Sequence, residues 1–215
     1  NRHEGVSDAV KHGTPGHGRV IRRERALSAV ARRSTTSIRL EGPQASRVAN
    51  TNRLINGLST ATRERLRPHL TVVHLAKGRV LSDIGEPIQR AYFPVVGMIL
   101  LLGLTERGDT LEVAMVGNEG FVGVPIALHA TRSPYRVVVP IAGDAYCANA
   151  EVVRRALLTC DDLHEATLQY AYALLVQLTQ SVICLSFHPL IQRLCRWLVV
   201  IHESGNARTI ELTQE

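Results

Sequence analysis

From Leu70 to Ile141 the chain reads as a series of short β-prone runs separated by sharp corners, and no run is long enough for an ordinary globular helix. The runs are Leu70–Leu75, Arg79–Ser82, Ala91–Pro94, Met98–Leu104, Thr110–Val116 and Tyr135–Ile141. Between them stand Lys77-Gly78, Gly85-Glu86-Pro87, Arg107-Gly108-Asp109 and Gly117-Asn118, residue types that supply a positive or fixed φ and so interrupt strands. Short strands at regular spacing hide their apolar faces by stacking sheets or closing a barrel, so this stretch predicts a sandwich or roll.

Helical patterns flank it. Leu54, Ile55 and Leu58 are spaced for a helix face beginning near Asn52, and Ser59 and Thr60 stand where a second short helix through Leu66 would be capped. Beyond the roll, a last strand from Gly143 through Cys147 and a helix near Ala150–Leu157 lead into a long periodic segment, Asp161–His188. There Leu168, Ala171, Leu175, Leu178, Val182 and Leu185 recur at alternating spacings of three and four, the signature of a seam that pairs two helices. A second apolar set, including Leu163, Tyr170 and Leu174, would cover the β-unit. Pro189 disfavours helical geometry at His188, which places a hinge at His188 and Pro189. A further amphipathic helix is expected from Leu190 to Glu203, stopped by Gly205, then a short strand at Ile210 and Leu212 with Thr213 as a helix cap.

Charge is distributed unevenly. Of 25 Lys/Arg and 19 Asp/Glu, residues 1–50 hold ten and four, which leaves 15 of each sign in the remainder. A formally neutral body offers no excess of cations for phosphate contacts, so the chain is not expected to grip DNA strongly by itself. Residues 1–48, rich in Gly and Arg and without a period, read as a disordered basic arm: a nucleic-acid-binding segment or simply a solvated tail. Cys147, Cys160, Cys184 and Cys195 form no C-x-x-C pair and are expected as free thiols, with no metal bound. No secretory signal and no unbroken apolar run of transmembrane length is read, so a cytoplasmic location without membrane contact is expected.

This order of elements resembles the Crp/Fnr family of bacterial transcription regulators. The likeness covers residues 50–215 and rests on Gly85-Glu86-Pro87-Ile88, Ala91-Tyr92-Phe93-Pro94 with Gly97, Gly117-Asn118-Glu119-Gly120-Phe121-Val122-Gly123, Gln192-Arg193-Leu194-Cys195-Arg196-Trp197-Leu198 and Leu212-Thr213-Gln214-Glu215. The resemblance implies a mainly β fold with helices: a double-stranded, jelly-roll-like β-roll of the cyclic nucleotide-binding type over 49–160, a dimerisation helix over 161–188, and the beginning of a truncated winged helix-turn-helix domain over 189–215. It implies a homodimer that binds DNA through a domain beyond residue 215.

The family's cyclic-nucleotide binders use a Gly-Glu pair, whose acid takes the ribose hydroxyl, and an Arg followed by Ser or Thr, which holds the phosphate. Gly123 is followed here by Val124, and Arg136 by Val137, so Gly123, Val124, Arg136 and Val137 are the candidate ligand residues and tight cyclic-AMP binding is not expected. No cofactor is indicated. An iron–sulfur sensor needs closely set cysteines, and His74, His129, His164 and His188 offer no basis for choosing a haem ligand. The residues select no effector beyond an unknown small molecule. An enzyme is not expected either: the chain has no H-x-H of a cupin, G-x-S-x-G, P-loop or H-E-x-x-H. The alternative from another class is a cyclic-nucleotide-binding regulatory module that acts on a protein partner without touching DNA.

Overall fold

The computed structural model describes residues 52–204 and the backbone strands Thr35–Arg39 and Thr209–Thr213. The expected basic arm therefore lies outside the described residues except for Thr35–Arg39 (β1), which pairs with Thr209–Thr213 in a separate two-stranded sheet. Thr213, expected as a helix cap, is the last residue of that second strand. Gly205 and Gln214-Glu215 also lie outside the described residues.

The body starts with α1 (Arg53–Gly57) and α2 (Thr60–Leu66). Asn52 is fully buried and acts as a three-way staple: its Oδ1 accepts from Ile55 N at 3.1 Å to cap α1, while Nδ2 donates to Pro94 O at 2.9 Å and Gly120 O at 2.7 Å. A buried amide is tolerated because its donors and acceptor are matched. Ser59 caps α2 by accepting from Thr62 N at 3.2 Å. Pro68 sits in a 3-10 turn, Arg67–His69, whose early positions need no backbone N–H.

The strands that follow are β2 (Thr71–Leu75), β3 (Val80–Ser82), β4 (Arg90–Pro94), β5 (Met98–Leu104) and β6 (Thr110–Val116), then the single-turn helix α3 (Val124–Ala127), β7 (Arg136–Ile141) and β8 (Gly143–Asn149). They form two antiparallel sheets, one ordered β2-β8-β4 and the other β3-β7-β5-β6. Ile99, Leu101, Val116, Val137 and Val139 from one sheet meet Leu75, Tyr92, Ala145 and Cys147 from the other in a closed apolar layer. Gly97, at φ +83°, makes the corner between β4 and β5; a Cβ there would lie 2.7 Å from the carbonyls of Ile141 and Ala142.

Helices close one end. α4 (Ala150–Thr159), α5 (Asp161–Phe187) and α6 (Leu190–Ser204) follow the roll. Leu54, Ile55, Leu66, Phe93, Phe121, Val153, Leu157 and Leu163 form a second core beneath them. Asp162, at the start of α5, accepts from Thr62 Oγ1 at 2.7 Å and Ser59 N at 2.9 Å, tying α2 to α5. Those bonds, the Thr62 hydroxyl foremost, hold its carboxyl down at about 2.

Candidate functional site: the roll cavity and the helix behind it

A cavity of about 470 Å³ opens into the roll between β3, β4, β7 and the segment leading into α3, a size suited to a small metabolite. Leu81, Val122, Pro125 and Val137 contribute apolar side chains to its lining, and Arg79, Arg90, Ser133 and Tyr135 bring polar groups. Burial pushes the Tyr135 phenol up to about 12, so it stays a neutral donor at physiological pH.

The expected ligand residues divide. Gly123 and Val137 line the cavity. Val124 does not; as the first residue of α3 it is buried in the core below the roll, among Leu54, Phe121 and Leu163. Arg136 does not either. Strand alternation turns Val137 and Val139 inward and Arg136 outward, where its Nε donates to both carboxylate oxygens of Asp83, at 3.1 and 3.2 Å. The Arg136 guanidinium holds the Asp83 carboxyl below its usual range, and Asp83 raises Arg136 in return. An Arg-Ser pair is nonetheless present four residues upstream, at Arg132-Ser133. Ser133 is buried and lines the cavity, and Arg132 Nη1 donates to Gly85 O at 2.6 Å. Sequence reasoning missed this pair, although the Arg-hydroxyl dipeptide itself was the signal.

The cavity wall leads directly to α5. Phe121, just before Val122 and Gly123, stacks on Phe93 with ring centroids 4.9 Å apart and packs against Tyr170 of α5 at 5.8 Å. A Cβ at Gly120 would fall 2.0 Å from the Tyr170 ring, and one at Gly123 would fall 2.4 Å from the Phe121 ring, so both glycines are required by close approach. Burial, with smaller contributions from Glu119 and Tyr135, pushes the Tyr170 phenol up. Among the described residues its oxygen makes no hydrogen bond of good geometry, although the Phe121 N–H acts on it weakly.

The candidate seam on α5 also divides. Leu168, Leu175 and Val182 stand open to solvent at 47%, 60% and 62% exposure, with Leu185 at 36%. Ala171 and Leu178 instead pack against the roll beside Tyr170 and Leu174. Tyr172, Val176, Ile183 and Phe187 widen the open stripe. By length and composition α5 could also cross a membrane, which the expectation of no transmembrane-length apolar run did not foresee. Its buried contacts through Leu163, Thr167 and Cys184 seat it on the body.

His188 is extended, at φ −101° and ψ 136°, as the following proline requires, and its N–H still caps α5 on Cys184 O at 3.1 Å. α6 then runs beside α5, where Arg196 Nη1 donates to Ser181 Oγ at 3.4 Å. Burial pushes the Glu112 carboxyl of β6 up, against the opposing influence of Trp197, Arg196 and Arg193 of α6.

No family model matches the sequence. Among curated proteins it is similar to the global nitrogen regulator of Synechococcus elongatus, 23% identical over 134 residues, covering 61% of this chain and 60% of that one. Among solved structures it is similar to a putative Crp/Fnr-family transcriptional regulator from Eubacterium rectale, with a TM-score of 0.58 and 13% identity over 70% of each chain. The chain shares the fold of these Crp/Fnr regulators. FixK2 from Bradyrhizobium japonicum matches with a TM-score of 0.55 and 13% identity, covering 62% of this chain and 66% of that one. The global regulator CLP of Xanthomonas campestris, described as c-di-GMP-responsive, matches at 0.50 and 17% identity over 69% of this chain and 75% of that one. What the chain shares with these structures is an antiparallel roll followed by a long helix, here α5.

Proposed function

We propose that this chain is the effector-sensing and dimerisation part of a cytoplasmic Crp/Fnr-type regulator that binds DNA through a winged helix-turn-helix domain begun by α6. A single connection carries the reading: the roll cavity and the seat of α5 share one wall, Gly120-Phe121-Val122-Gly123, with Tyr170 packed on it. An effector that repositions this wall by a fraction of an ångström changes how α5 seats, because tightly packed interfaces do not deform continuously. α5 in turn presents Leu168, Leu175 and Val182 to a second copy and passes its displacement through the hinge at His188 and Pro189 to α6. A few kcal/mol between two such seats is enough for a modest ligand preference to redistribute them. Cyclic AMP is not the expected effector, because Val124 provides no acid for a ribose and faces the core.

The test is selection of duplexes from a random DNA pool with the complete gene product. Enrichment of two-fold symmetric sites, with half-sites spaced by about one helical turn, is the expected result. No enrichment, with stable capture of a protein partner, would favour the module that regulates by protein contact.

A further inference from the structure

Four arginines surround the roll cavity, and their engagements differ. Arg136 faces away and is paired with Asp83, and Arg132 is exposed with its guanidinium on the Gly85 carbonyl. Arg79 and Arg90 both line the cavity, and among the described residues neither forms an ion pair with a carboxylate. Both act on the same place. Arg90 and Tyr92, two residues apart on β4, both line the cavity, and the charges of Arg90 and Arg79 act on the Tyr92 phenol and the Cys147 thiol. Tyr92 and Cys147 are direct register partners on β4 and β8, and both arginines line the cavity together with Tyr92.

Among the described residues, no carboxylate pairs with either arginine. Burial pushes the Tyr92 phenol and the Cys147 thiol up, so both remain uncharged. Glu86 is the one carboxylate lining the cavity, and its Oε2 accepts from Asp83 N at 2.8 Å, on the side where Arg136 lies. Arg79 and Arg90 are exposed at the mouth. Their charge is therefore tolerated by contact with water and is available to a ligand that enters the cavity. A guanidinium presents parallel N–H donors that match carboxylate or phosphate oxygens.

We propose that the cavity binds a compact dianion, a dicarboxylate or a phosphate ester, with its charged groups held by Arg79 and Arg90 beside Tyr92, and that Arg136 takes no part. This rests on reading the cavity as the effector site and names the ligand class for it. Ser133 and Tyr135 offer hydroxyl groups to the remainder of the ligand. The choice of arginines replaces the Arg136 expectation drawn from sequence.

The experiment is isothermal titration of the 215-residue chain with inorganic phosphate, succinate, glycerol 3-phosphate and cyclic AMP, at about 20 mM and about 200 mM salt. At least one dianion is expected to bind, more weakly at the higher salt, and R79Q and R90Q are each expected to weaken it about tenfold while R136Q leaves it unchanged. Comparison of the succinate and phosphate arms separates a carboxylate site from a phosphate site. Silence from all three dianions, or binding that survives the double R79Q/R90Q variant, overturns the proposal. If cyclic AMP alone binds and Val137→Phe abolishes it, the anion proposal falls and the effector cavity stands. If a dianion binds but ignores R79Q, R90Q and Val137→Phe alike, its site lies elsewhere and both readings fall.

Discussion

The two long faces of α5 are built from similar residues yet meet different surroundings. Leu163, Thr167, Tyr170, Leu174 and Leu178 lie against the body, while Leu168, Tyr172, Leu175 and Val182 meet solvent. The first face is already satisfied within one protomer, so it should govern folding. The second has no partner in the protomer, so it should govern association. Energetics of substitution should therefore separate cleanly along the helix, because buried and open leucines of the same helix report on different equilibria.

The largest effect is expected at Leu163, which is 2% exposed. Leu163→Ala should cost about 3 kcal/mol of unfolding free energy in a denaturant titration, through lost burial and the cavity left behind. Gly120→Ala comes next. A methyl 2.0 Å from the Tyr170 ring must displace α5 or the cavity wall, which should cost about 2 kcal/mol and raise hydrogen exchange in both segments. If Gly120→Ala leaves exchange in α5 unchanged, the wall and the helix are not coupled.

Tyr170→Phe sharpens the same comparison with the opposite sign. The buried phenol oxygen makes no hydrogen bond of good geometry among the described residues, so its removal should leave the protein equally stable or more stable, by about 1 kcal/mol, in the same titration. A loss of stability would mean that the hydroxyl is bonded in solution. The smallest effect concerns acid. Asp162 titrates at about 2 when folded against an ordinary 3.8, so its contribution is complete above about pH 4 and is lost as pH falls through 2. Asp162→Asn should flatten the acid limb of a stability–pH curve in that window, and an unchanged limb would dismiss the tie between α2 and α5.

Much of the fold was legible. β5 and β6 begin and end where the sequence reading placed them, at Met98–Leu104 and Thr110–Val116, because Gly and Asp corners bound both runs. α5 ends at Phe187, one residue short of the expected His188, as the following proline dictates. α3 was missed because one turn, Val124–Ala127, is too short to show a period. The site was less legible. Arg136 was chosen for its residue type, but the inward parity of Val137 and Val139 already turned it away from the roll interior. Likewise, spacings of three and four describe the open and packed faces of α5 equally well, and only the position of the roll separates Leu175 from Leu178. Arg79 and Arg90 carried no motif, since only the folded roll brings both to the lining of one cavity.

The most direct test of the account is sedimentation of the wild-type chain beside Leu175→Glu, with thermal unfolding of both. The account predicts a wild-type dimer and a monomeric variant whose protomer stability changes by no more than about 0.5 kcal/mol, as for an exposed position. A wild-type chain that sediments as a monomer, or a Leu175→Glu variant that remains a dimer, would contradict it.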